Sequence, residues 1–168
     1  GGTLYNCLVE GNRASYRGGG IYGATAYDCT IVANSSYNYG GGIYLDGGTA
    51  LIKDGVINGN TALGNGGGVQ VQEGGTFTMS GGEIKNCKSS YGAGVSLWGS
   101  TITMTGGKIT GCNNDKHGGG VYLVDWSTFN FSNGEISGCA ANQGGGVYVN
   151  NSNGPGNPVI KIEGVRIA

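Results

Sequence analysis

The pentapeptide GGGVY, at 118–122, returns at 144–148, with GGGIY at 18–22 and 40–44, GGGVQ at 66–70 and GAGVS at 92–96. The branched apolar residue after the glycines is the anchor of each copy: Ile21, Ile43, Val69, Val95, Val121 and Val147. Successive anchors are 22, 26, 26, 26 and 26 residues apart. An interval held four times running is an internal repeat, and a period of this size belongs to stacked architectures.

Each repeat carries two further short runs. The second is Phe77-Thr78-Met79, Ile102-Thr103-Met104 or Phe129-Asn130-Phe131. A glycine-containing turn separates it from the third, which reads GVINGN at 55–60, GEIKNC at 82–87, GKITGC at 107–112 and GEISGC at 134–139. Apolar and polar residues alternate in all three, the period of a half-buried strand rather than of a helix. A three-stranded unit of this length cannot bury its apolar face alone. Stacked as successive coils, equivalent strands pair in parallel about 4.8 Å apart and enclose a continuous interior. The expected fold is all-β: a right-handed parallel β-helix (β-solenoid) of about six coils, each of 22–26 residues with three short strands, forming a single domain over 1–168. A leucine-rich horseshoe would need a helical segment, and a propeller blade needs about 40 residues.

Composition narrows the function classes. Glycine is 39 of 168 residues, but only two prolines and no Gly-X-Y period are present, which excludes collagen. Recurring apolar residues argue against disorder. Charged residues are 11% and the formal net charge is −1, with no Lys/Arg run, so neither nucleic acid nor an acidic membrane is an expected partner. No apolar run reaches the length of a membrane-spanning helix. The chain begins on Gly1 rather than Met, and no signal peptide is visible; the expectation is a processed or excised segment of a longer or polymerising chain.

Stacking converts the alignment into columns. Leu45, Val71, Leu97, Leu123 and Val149 are expected to face inward with the anchors. Ala50, Phe77, Ile102, Phe129 and Ile160, then Ile52, Met79, Met104, Phe131 and Ile162, follow from the second strand. Val9, Ile31, Ile57, Ile84, Ile109, Ile136 and Ile167 follow from the third. Three residues after the third-strand anchor stands a column of Asn12, Asn34 and Asn60, continued by Cys87, Cys112 and Cys139. Stacked asparagines can hydrogen-bond up such a column. Cys7 and Cys29 stack in another column. Five cysteines are an odd number, and parallel Cβ vectors suit bridging poorly, so buried free thiols are expected; Cys87–Cys112, Cys112–Cys139 and Cys7–Cys29 are the alternative bridges. One histidine and no C-x-x-C leave no metal site to expect, and no cofactor is implied.

Candidate chemistry is sparse. Glu83 and Glu135 share an outward column, but Lys108 lies between them, which reads as a charge ladder of alternating sign rather than a catalytic pair. His117 lies in a turn near Asp115 with no nucleophile placed beside it. Thr76, Thr78, Thr101, Thr103, Thr105 and Thr128 form a patch explained by strand propensity. No catalytic residue is expected, and the chain reads as a non-enzyme. The outward neighbours of the anchors include Tyr22, Tyr44, Tyr122 and Tyr148, with Trp98 on the same face. These five are the candidate binding residues, because exposed rings can stack on sugar rings; mutual stacking that protects the sheet is the alternative. Tyr16, Tyr37, Tyr39 and Tyr91 lie in turns beside the glycines and enlarge this aromatic edge.

The paired motifs resemble those of bacterial surface or secreted proteins with right-handed parallel β-helix repeats. The nearest group is the repeat region of the polymorphic outer membrane protein adhesins, with GGA-aliphatic and F-x-x-N tetrapeptides. Here those positions read GGGI at 18–21 and 40–43 and GGGV at 66–69, 118–121 and 144–147. The partner motif reads VEGN at 9–12, IVAN at 31–34, INGN at 57–60, IKNC at 84–87, ITGC at 109–112 and ISGC at 136–139. Val or Ile replaces Phe throughout, and Cys replaces Asn in three coils. The resemblance implies an extracellular or cell-surface location and an adhesive or structural role in a surface protein or fibre, with no catalytic residues to transfer. A carbohydrate-binding or carbohydrate-processing β-helix is the alternative. Expected partners are further coils of the same chain or another copy stacked head to tail, and a glycan or host-surface ligand; insertion of this segment into a membrane is not expected.

Overall fold

A computed structural model describes residues 2–151 and 156–168. Among these residues every regular element is a strand, and every strand pairing is parallel. The chain winds as a β-solenoid of about six coils.

The anchor face is one six-stranded sheet. Ile21–Tyr22, Ile43–Asp46, Val69–Gln72, Val95–Trp98, Val121–Val124 and Val147–Val149 stack in that order. The anchors Ile21, Ile43, Val69, Val95, Val121 and Val147 are in register from one coil to the next, as are Leu45, Val71, Leu97, Leu123 and Val149. The second-strand columns are in register too, and they extend further back than the repeat showed, through Ala26 to Leu4. The third-strand column runs unbroken from Val9 to Ile167. From the second coil to the fifth these residues are buried in one core. At the last coil Ile162 and Ile167 are exposed, because no further coil covers them here.

Two features depart from three separate strands per coil. In two coils the second and third runs are a single ten-residue strand, Thr76–Lys85 and Thr101–Thr110. The corner is turned inside the strand, at Gly82 and Gly107, whose φ is +68° and +79°. The register shifts at this point, between Met79 and Ser80 and again before Glu83. This joins the two faces into one twelve-stranded sheet. The second departure is a small third sheet of Arg13–Ala14, Ser35–Ser36 and Thr61–Ala62, following the Asn column. Single bridges carry its pairing on through Lys88 and Asn113 to Ala140.

The two recurring motifs meet at one corner. A Cβ on Gly20 would lie 3.0 Å from Asn34 Nδ2, one on Gly42 3.1 Å from Asn60 Nδ2, and one on Gly68 3.3 Å from Cys87 Sγ. Nearer still are the carbonyl oxygens of Gly42, Gly68 and Gly94, at 2.8, 2.7 and 2.6 Å, so the last glycine before the anchor makes room for both the backbone and the Asn or Cys of the next coil. The middle glycine packs on backbone: a Cβ on Gly119 would lie 2.5 Å from the Gly145 carbonyl oxygen and 2.6 Å from that of Ala140. The first glycine has a different role, a positive φ (+67° at Gly118) that no branched side chain adopts cheaply.

Candidate functional site

The five ring residues proposed from sequence do not form one exposed face. Tyr22 and Trp98 are exposed, at 55% and 54%. Tyr44 is completely buried and Tyr122 is 6% exposed, while Tyr148 is half-buried. The expectation of exposure is therefore corrected for Tyr44, Tyr122 and, in part, Tyr148. All three do point away from the core, but something covers them. The positive-φ glycine folds the chain back, so that the residue before it lies over the outer side of the sheet. That residue forms its own bridged column: Arg17, Tyr39, Asn65, Tyr91, His117 and Gln143.

The cover is specific at both ends of the sheet. The Arg17 guanidinium sits 5.0 Å from the Tyr44 ring centroid, 4.7 Å from that of Tyr16 and 5.4 Å from that of Tyr39. Tyr44 stacks on Tyr22 with centroids 5.2 Å apart, and its hydroxyl donates to Gln72 Oε1 at 2.8 Å. Burial pushes the Tyr44 phenol up to about 12. Further along, Tyr91 packs on Tyr122 (5.3 Å), His117 stacks on Tyr148 (4.6 Å), and Tyr122 stacks on Tyr148 (5.7 Å). Asn150 Nδ2 donates to the Tyr122 hydroxyl at 3.0 Å. His117 is thus a half-buried member of this ring layer rather than a free turn residue. The position just before each glycine triplet was the sequence signal for the layer. It was missed because Arg, Tyr, Asn, His and Gln share no chemistry.

The charge column is arranged as its pattern indicated. Glu83, Lys108, Glu135 and Arg166 are successive register partners. Glu135 takes Arg166 at 2.6 Å and Lys108 at 3.8 Å. Glu83 departs by pairing within its own strand, with Lys85 at 2.6 Å, and it also accepts from Thr110 at 3.2 Å. The Lys85 hydrogen bond holds the Glu83 carboxyl below its ordinary range. Both carboxylates are engaged by cations, Glu135 by ladder neighbours and Glu83 by Lys85 of its own strand. Among the described residues no group of three or more His, Cys, Asp or Glu is placed to hold a metal ion.

The Asn and Cys column is continuous. Asn34 Oδ1 accepts from the Asn12 backbone and side chain, at 2.9 and 3.0 Å, and Asn60 Oδ1 accepts from Asn34 in the same way, at 2.8 and 3.1 Å. All five cysteines are free; Cys29, Cys87 and Cys112 are buried, and Cys7 and Cys139 half-buried. Its hydrogen bond to Cys112, with burial, pushes the Cys139 thiol up, so it stays protonated.

Residues 6–24 match the Chlamydia polymorphic membrane protein repeat. The stretch runs from Asn6 through the VEGN tetrapeptide and the first GGGI, so it contains one copy of each motif. The chain fits a polymorphic outer membrane protein-like β-helix repeat region. That family points to a module of a bacterial surface protein, with an outer-membrane or cell-surface location. No curated protein and no solved structure matches the chain.

Proposed function

We propose that this polymorphic-membrane-protein-like solenoid is a non-catalytic structural and adhesive module of a bacterial extracellular or cell-surface protein or fibre. The observation that carries it is the matched repeat at 6–24 set on an uninterrupted ladder of parallel coils. Such a rod holds rows of side chains at a fixed spacing of about 4.8 Å, which suits repeated weak contacts with another surface. Core-column residues exposed at the last coil, Ile162 and Ile167, favour contact with further coils or with a second copy stacked head to tail. Beads coated with the folded protein are expected to stay on cultured epithelial cells when albumin-coated beads wash off. Equal retention contradicts adhesion, and turnover of any polysaccharide in a panel contradicts the non-catalytic reading.

A second reading, glycan binding through the aromatic face, is now confined to Tyr22 and Trp98, the two candidates whose rings are open. Glycan-array binding lost in both Tyr22→Ala and Trp98→Ala supports it, and binding unchanged in both sinks it.

A further inference from the structure

The small three-stranded sheet carries an open groove of about 250 Å³ lined by Arg13, Ser35, Ser36, Tyr37, Thr61 and Leu63. Arg13, Ser35 and Thr61 are successive register partners, so a guanidinium and two hydroxyls stand in one column about 4.8 Å apart per step. Tyr37 and Leu63, exposed at 61% and 60%, form an apolar wall. Ser36 stands in the alternate column with Ala14 and Ala62, so its 5%-exposed side chain faces inward and only its neighbours Ser35 and Tyr37 present side chains to the groove. The ion pairs found among those residues do not include Arg13.

We propose that this groove binds a single sugar unit bearing a carboxylate, such as a uronic acid. An arginine fork matches a carboxylate in a way that a point charge does not. The Ser35 and Thr61 hydroxyls can donate to or accept from sugar hydroxyls. The Tyr37 ring and Leu63 offer apolar surface to the C–H face of a pyranose. The volume lies below the usual range of about 300–1,000 Å³ for drug-sized pockets, which limits the occupant to about one ring. A neutral sugar leaves Arg13 unpaired, and a small anion alone leaves the apolar wall wet. One arginine beside an apolar wall, in a chain of net charge −1, does not make a polyphosphate site.

The proposal deepens the surface-module reading, on which it rests, and gives that reading a ligand class. The test is a titration of ¹⁵N-labelled protein with glucuronate, glucose and acetate, followed by NMR. Glucuronate is expected to shift the amides of residues 13, 35–37, 61 and 63 saturably, and glucose and acetate to bind at least about tenfold more weakly. Arg13→Gln, at an exposed position, should keep a dispersed spectrum and lose about tenfold in glucuronate affinity. Lys161→Gln, at an exposed position of the last coil outside the groove, should bind as the parent does. No saturable shift at millimolar glucuronate, equal binding of glucose, or full affinity in Arg13→Gln overturns the proposal. Bead adhesion is scored separately, so failure of glucuronate to bind is distinguishable from failure of the surface-module reading.

Discussion

One column at one corner is filled by asparagine in the first three coils, at Asn12, Asn34 and Asn60, and by cysteine in the next three, at Cys87, Cys112 and Cys139. Both halves meet the same demand. The carbonyl of the third-strand anchor points at the corner of the coil that follows. Val9 O accepts from Asn34 Nδ2 and Ile31 O from Asn60 Nδ2, each at 2.8 Å. In the other half Cys87 Sγ faces Ile57 O at 3.9 Å, and Cys139 Sγ faces Ile109 O at 3.7 Å. The thiols lean on a second carbonyl two residues back in their own coil, at 3.3 Å for Cys87 and 3.5 Å for Cys139. A carboxamide donates twice and accepts, so it ties three coils together; a thiol is a weak donor that fills the same space. Cys112 Sγ faces the Thr110 carbonyl of its own coil at 3.5 Å, so what all six positions share is a small group that stacks on itself. The corner does not require an amide.

Changes to this corner should separate the halves. Gly42→Val attacks what they share and should cost the most, about 4 kcal/mol or more, since its Cβ would lie 2.7 Å from the Gly68 carbonyl oxygen and 3.1 Å from Asn60. Loss of cooperative urea unfolding is the readout. Asn60→Ala comes next, at about 3 kcal/mol, because it strands the Asn34 side chain and backbone N–H and the Ile31 carbonyl in a buried site. Asn60→Cys, which imports the other half's solution, should recover part of that loss in the same denaturant experiment. Cys112→Ala should cost only about 1 kcal/mol, because a thiol contributes mainly volume. A loss in Cys112→Ala as large as in Asn60→Ala would mean that the thiols are bonded as strongly as the amides.

Much of this arrangement was legible in the sequence. The interval of 26 residues places Ile43, Val69, Val95, Val121 and Val147 in one column, because a solenoid turns sequence period into spatial register. Asn12, Asn34 and Asn60 were readable for the same reason. The small three-stranded sheet was not, because strands of two residues, such as Ser35–Ser36, carry no alternation to detect. The burial of Tyr44 was hidden for another reason. Alternation states which side of a sheet a residue faces, and nothing in it states that Arg17 lies across that side. The candidate binding surface was therefore read too broadly at Tyr44 and Tyr122. The Arg13 groove, which lies on the undetected sheet, was not read at all.

The smallest effect belongs to a carboxylate within the asparagine half. Asp28 Oδ1 accepts from the backbone N–H groups of Lys53 and Asp54, at 2.7 and 3.1 Å, so it ties its coil to the next turn. These two bonds hold its carboxyl below the ordinary range. A carboxyl depressed in the folded state stabilises it above the unfolded value of about 3.9, and that contribution fades as pH falls through the lower folded value. Thermal unfolding between neutral pH and pH 2 should show a shallower acid loss in Asp28→Asn than in the parent. Identical profiles would remove Asp28 from the coil-to-coil ties.

The claim beneath all of this is that the corner column is stacked in register, amide on amide and then thiol beyond. A ¹⁵N-edited NOE spectrum tests it directly. The account predicts cross-peaks from the Asn34 carboxamide protons to both Asn12 and Asn60, together with backbone contacts between Ile57 and Ile84. Carboxamide protons of Asn34 that exchange freely with water and show neither neighbour would contradict it.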